Sequence, residues 1–170
     1  KNKLKPAYAL LGLTALFLID QVPVDARFLG KSSFETKRAS ANSFAPSEAD
    51  KIIMGDEDEF RVLNLTVSVF NDASTSYHHH SIGGYSGAKM KRYQELIETS
   101  LSDDINSLIT NLRTATTMEE AEGALGSLGI LNMLNTRYII LDPGSAPLVN
   151  RHAAGNAWLV NRVTLAENAD

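Results

Sequence analysis

Residues 7–19 read AYALLGLTALFLI, a run without a charge, with Lys1, Lys3 and Lys5 before it and Asp20 after it. No other feature limits the chain so strongly. A helix that is apolar on every side has no face for water and must be covered by protein or by lipid. A secretory signal peptide has a basic flank and an apolar stretch of this size, but residues 21–25 (QVPVD) make a poor cleavage site. A buried core helix suits a run of this length, whereas a complete transmembrane span needs about 20 residues. The lack of any polar face favours the outer end of a transmembrane helix. Pro6 fits its first turn, where the missing N–H costs nothing.

At 170 residues the remainder has room for one domain with a real core rather than for two full domains. A net charge of −4 argues against a nucleic-acid partner, which would call for a basic surface. The absence of cysteine excludes disulfides, thiolate metal sites and cysteine nucleophiles together. A chain that starts at Lys1 and stops just after a strand-like run is expected to be a piece of a longer or processed protein.

The organisation expected from the sequence has three parts. Residues 1–29 are an apolar helix, the end of a transmembrane segment. Residues 30–55 are a connector with a short helix, opened by Ser47 with Asp50 three positions on, ahead of Ile52, Ile53 and Met54. Residues 56–170 are a soluble domain. Within it, 60–70 (FRVLNLTVSVF) carries the strongest strand signal, and 71–87 is a long polar loop. A helix over 88–101 follows, with Tyr93, Ile97 and Leu101 along one face and Met90 and Leu96 widening the stripe. Ser102 should cap a second helix beginning at Asp103-Asp104, where acidic residues suit the helix dipole; Ile105, Leu108, Ile109 and Leu112 form its buried face. Thr117 and Glu120 read as a capping box, and 128–134 as a short apolar helix. Residues 137–141 (RYIIL) form a strand stopped by Asp142-Pro143-Gly144, and 157–165 (AWLVNRVTL) a last strand. This order predicts an α/β (α+β) fold, a small mixed sheet with several helices packed on one face, preceded by the apolar helix.

Residues 77–98, YHHHSIGGYSGAKMKRYQELIE, hold the residues best suited to chemistry. Imidazoles serve metals and proton transfer near neutral pH. In an extended loop His78 and His80 would point the same way, but a zinc site needs three or four ligands, so His152, Asp72 or another chain would have to complete it. Gly83-Gly84 permits close backbone approach, and with Lys89 and Arg92 behind it the following helix start could hold an anion. Neither a P-loop nor a GxGxxG spacing is present, and a structural turn feeding an amphipathic helix explains the same residues. The candidate ligand-binding residues are Tyr77, His78, His80, Gly83, Gly84, Tyr85, Lys89 and Arg92. No catalytic residue, metal set or cofactor is assigned: Ser81 lacks the GxSxG frame, and the carboxylate pairs 103–104 and 119–120 sit at helix starts. Trp158 is expected in a core or an interface, although a lone tryptophan can also stack on a sugar ring.

Four stretches together resemble the YfhO family of bacterial multi-pass membrane proteins, in the versions found in Bacteroidetes-type bacteria. They are residues 60–98, LGILNMLNTRYIILDP at 128–143, GNAWLVNRV at 155–163, and LIDQVPVDARFL at 18–29. The resemblance implies a parent with many transmembrane helices and a GT-C-like glycosyltransferase architecture in the bacterial inner membrane. Such a parent glycosylates cell-envelope polymers with sugar delivered on a polyprenyl-phosphate lipid. The present segment would lie on the extracytoplasmic, periplasmic side. The catalytic acid of such enzymes lies in an early extracytoplasmic loop that nothing here matches, so the segment is expected to be an accessory domain without the catalytic site. Its expected partners are the rest of the parent and a glycan or polyprenyl-phosphate-linked sugar, beside the membrane and without nucleic acid. The triple histidine departs from the family pattern, where one histidine is expected near that point. The alternative is a non-catalytic envelope module that binds glycans or acts as a scaffold. A metal-dependent hydrolase has only the histidines in its favour.

Overall fold

The computed structural model describes residues 5–165. They form two compact units that divide after Ala45.

In the first unit helix α1 runs from Pro6 to Phe28, well beyond the charge-free run, through Asp20 and Pro23. At 1.5 Å per residue its 23 residues span about 35 Å, against about 30 Å for a bilayer's hydrocarbon core. Among the described residues it is the one helix long and apolar enough to cross a membrane. None of its residues is buried, and the buried cores of the chain are built without it, which removes the core-helix reading. Pro6 stands in the first turn as expected. A 3₁₀ turn (Lys31–Ser33) and helix α2 (Lys37–Ser43) follow, with the Thr36 hydroxyl accepting the Ala39 N–H at 3.2 Å as the α2 cap.

The second unit is α+β. Its sheet has three strands in the order β1 (Arg61–Asn64), β2 (Thr136–Ile140), β3 (Leu148–Val149). β1 and β2 are parallel, with Leu63 opposite Ile139, and β3 returns antiparallel, with Leu148 opposite Ile139. Side chains alternate between faces. Leu63 and Ile139 face the larger core with Ile82, Ile97, Leu101 and Leu108. Val62 and Ile140 face the other way, onto Ala49 and Ile53 of helix α3 (Glu48–Ile53). Helices therefore cover both faces of the sheet, which corrects the expected one-sided arrangement. The missing cover is α3, the short helix assigned to the connector from sequence. Its Ser47–Asp50 capping box is present, and the Ala49 N–H reaches the Pro143 carbonyl at 3.1 Å.

Both predicted long strands are shorter or absent. β1 ends at Asn64 because the Asn64 side-chain oxygen accepts the Thr66 N–H and hydroxyl at 2.9 and 2.7 Å, a local turn that lifts the chain out of the sheet. Leu65, Val69 and Phe70 still pack on the core, as irregular chain. Residues 157–165 are not a strand. The place beside β2 belongs to β3, fixed by the Asn150 N–H on the Arg137 carbonyl at 2.7 Å, and Leu159 and Leu165 are 99% and 94% exposed.

The crossover from β1 to β2 carries the remaining helices: α4 (Lys91–Leu96), α5 (Ser102–Thr114), α6 (Met118–Leu125) and α7 (Gly129–Met133). The expected break before Ser102 does not exist. A π turn, Ile97–Leu101, joins α4 to α5 without interruption, and the Ser102 N–H bonds the Ile97 carbonyl. Tyr93, Ile97, Leu101 and Ile105 are four residues apart. Each such step overshoots an α-helical turn by about 40°, and the wider π turn absorbs part of that drift, keeping the apolar stripe on the core. Asp104, expected to serve its own helix start, instead accepts the Ile130 and Leu131 N–H groups at 2.8 and 3.1 Å and so caps α7. The Thr117–Glu120 capping box is present.

Candidate functional site

Much of the histidine loop is built into the fold. Ser74–Tyr77 is a 3₁₀ turn, opened by the Asp72 carboxylate accepting the Ser74 N–H at 2.8 Å and the Ser74 hydroxyl. The backbone here is a helical turn and not extended, so the premise that set His78 and His80 side by side does not hold. His79 turns inward, its side chain 3% exposed, with Nε2 2.8 Å from the Asp50 carboxylate. Burial raises the Asp50 pKa, but hydrogen bonds from the Ser47 hydroxyl and N–H, and then His79, outweigh it and hold the carboxyl below its ordinary value. His80 is exposed and only loosely placed, 3.9 Å from Glu59. Asp72 is engaged by Ser74, and the His152 ring lies against Gly126. Among the described residues no group of three or more His, Asp or Glu could hold a metal ion.

Residues 80–82 run along the outer edge of β1. The Val62 N–H reaches the His80 carbonyl at 2.9 Å, and the Ile82 N–H reaches the Val62 carbonyl at 3.1 Å, a parallel bridge. The Ile82 carbonyl accepts the Tyr93 hydroxyl, whose pKa burial raises. The glycine pair follows from this docking. A Cβ on Gly83 would stand 1.8 Å from the Val69 carbonyl oxygen, and Gly84, at φ +122°, donates its N–H to that oxygen at 2.8 Å. Lys89 precedes the helix and lies 5.4 Å over the Phe70 ring, while Tyr85 and Arg92 are exposed. The sequence candidates thus separate. Tyr77, His78 and His80 line a common cleft; Gly83, Gly84, Tyr85, Lys89 and Arg92 line none of the three clefts that follow.

Those clefts, of about 420, 400 and 640 Å³, adjoin one another and share Glu59, at the end of the sheet where β1 and β2 begin. The first lies between the acidic turn 56–59 and His78–His80. The second is lined by Phe60, Arg61, His80, Asn156 and Trp158, the third by Asp58, Arg137, Asn150 and Arg151. Two of the turn's carboxylates are already engaged. Arg137 Nη1 lies 2.6 Å from Asp58 and its Nε 3.3 Å from Asp56, and the Tyr138 hydroxyl donates to Asp56 at 2.7 Å. The Tyr138 hydroxyl, then the Asp58 N–H, hold the Asp56 carboxyl below its ordinary value. Burial, then Asp56, pushes the Tyr138 phenol up. The Arg137 guanidinium sits 5.8 Å over Phe60, whose ring meets Tyr138 edge-on at 5.0 Å. Glu59 remains as the acid turned to the groove.

Asparagines hold the far wall, and sequence reasoning missed them. Asn135, at φ +56°, donates to the Glu59 carbonyl at 2.7 Å and to the Asn156 side-chain oxygen at 3.1 Å, and accepts the Gly155 N–H at 3.2 Å. Asn150 donates to the Asn132 side-chain oxygen at 2.7 Å and to the Thr136 carbonyl at 2.8 Å. Their only trace in the sequence is the crowding of asparagines at 132, 135, 150 and 156 around a short strand. The chain matches no family model, no curated protein and no solved structure.

Proposed function

We propose that residues 46–165 form an accessory domain held at the outer face of a bacterial inner membrane by α1, within a polytopic YfhO-like protein whose glycosyltransferase centre lies elsewhere in the parent. The observation that carries this reading is α1 itself: 23 residues, apolar, none buried, in a chain whose second unit has a core of its own. Apolar surface on that scale needs a cover, and lipid supplies it. The resemblance of residues 18–29, 60–98, 128–143 and 155–163 to the YfhO family supplies the polytopic parent, the side of the membrane and the work on envelope glycans.

A signal sequence shares the length and composition of α1 but not its fate, so the test follows that fate. The chain has no cysteine, and Asp103 is exposed on α5. With Asp103→Cys in a Gram-negative host, a membrane-impermeant maleimide should label the protein once the outer membrane is opened. The labelled protein should sediment with membranes with its N-terminal segment intact. Labelling only after the inner membrane is broken, or a soluble periplasmic product shortened at its N-terminus, would overturn the reading.

A further inference from the structure

The groove's second cleft combines groups that the structural role of the histidine loop does not use. Trp158 is 45% exposed, and Phe60 lines the cleft as a second aromatic. A large exposed aromatic carries a penalty in water unless it is covered, and its flat apolar face with a polar rim suits amphipathic ligands. The polar groups around it are planar: the Glu59 carboxylate, the Asn156 amide and the His80 imidazole. Asn135 holds the Asn156 side-chain oxygen, which fixes the orientation of that amide and leaves its NH₂ group for a ligand. Asn135 also ties the Glu59 backbone and the Gly155 N–H, so the two walls are set before anything binds, and less order has to be created on binding. The charges nearly cancel. Of the residues lining this cleft, Glu59 and Arg61 carry opposite charges, and Arg61 also donates to the Leu134 carbonyl at 3.0 Å; Asp56 and Asp58 share Arg137 outside it. That balance disfavours a phosphate or another strong anion.

We infer that this cleft is a binding site for a neutral glycan, with Trp158 stacked on the apolar face of a sugar ring and with Glu59, Asn156 and His80 hydrogen-bonding its hydroxyls. The inference deepens the envelope reading above only in its choice of ligand; the binding itself does not depend on where the membrane lies.

Trp158 is the chain's single tryptophan, so intrinsic emission reports on the site directly. The full chain in mild detergent is titrated with maltotriose, chitotriose and mannotriose, and separately with inorganic phosphate and adenosine monophosphate. A saturable change with at least one trisaccharide, and none with phosphate or the nucleotide, is expected. By calorimetry, Asn156→Ala and Glu59→Gln should each weaken that sugar about tenfold or more, and Trp158→Ala should abolish its binding. No saturable response to any trisaccharide up to about 10 mM overturns the assignment. So does a response to the nucleotide or phosphate alone, or an affinity within twofold of the parent in Asn156→Ala and Glu59→Gln. Failure here leaves the membrane reading intact, and failed labelling at position 103 leaves this one intact.

Discussion

The buried His79 imidazole meets the Asp50 carboxylate at 2.8 Å, across 29 residues of sequence. The contact ties the histidine loop to the helix that covers the second face of the sheet. Because Asp50 also closes the Ser47 capping box, one side chain fastens a helix start and a loop at once. Replacing His79 with alanine removes a partner from a half-buried acceptor and opens a void where the imidazole was buried. It should cost about 1–3 kcal/mol in guanidinium denaturation.

Asp50, held chiefly by Ser47 and then by His79, gives the fold an acid limit. Asp50 binds its proton less readily folded than unfolded. Its stabilisation is therefore complete above the unfolded value of about 4 and is lost as the pH falls through the lower folded value. Asp50→Asn should be less stable than the parent at pH 7, with the gap closing toward pH 2. Denaturation midpoints for both proteins at pH 7, 4 and 2.5 check this, and a gap that stays constant would contradict it.

Gly83 has no room for a side chain. Gly83→Ala places a methyl group on the Val69 carbonyl and should destabilise by about 3 kcal/mol or more, or leave the protein insoluble. Gly87→Ala, four residues along, meets nothing within 4 Å and should be neutral or slightly stabilising. The two melting curves form a matched pair.

The π turn leads to a prediction about deletion. Removing Thr99 from Ile97–Leu101 should convert the wide turn into an ordinary α turn, with Tyr93, Ile97, Leu101 and Ile105 still on one face. The deletion should cost less than about 1.5 kcal/mol. Removing Ser107, within α5, rotates the Leu108–Leu112 face by about 100° and should abolish cooperative unfolding. Thermal melts followed by circular dichroism separate the two.

Asn135 holds a left-handed backbone, which glycine adopts at no steric cost. If backbone strain were its main effect, Asn135→Gly would stabilise. Its side chain makes three hydrogen bonds to Glu59, Gly155 and Asn156, so the substitution should instead cost about 1–3 kcal/mol. Fluorescence of the single tryptophan should shift to the red as the wall carrying Trp158 loosens.

What could be read from the sequence was local. Ser47 with Asp50, Thr117 with Glu120, the stripe from Tyr93 to Leu112 and the strand RYIIL all declare themselves within a few residues, and the structure contains them. What could not be read depends on partners far along the chain. Residues 60–70 are dominated by Val, Leu, Thr and Phe, but the Asn64 turn to Thr66 ends the strand after four residues. Residues 157–165 hold Trp, Val, Thr and Leu suited to a strand, yet β3 already occupies the edge of β2. The inward turn of His79 depends on Asp50, and the glycine pair's role on Val69, neither of which lies near in sequence. The groove is the extreme case: its walls come from 53–61, 76–80, 133–137 and 149–158, and no single window contains them.

The short bridge at residues 80–82 has one further effect. An open strand edge invites a neighbouring molecule to add its own strand, the first step toward fibrils. Here the protein's own backbone takes that place beside β1, and the opposite edge offers only the two residues of β3. Copies crowded together on a surface can then meet often without zipping into aggregates, and Pro147, which has no N–H to offer, stands directly before the short β3 edge.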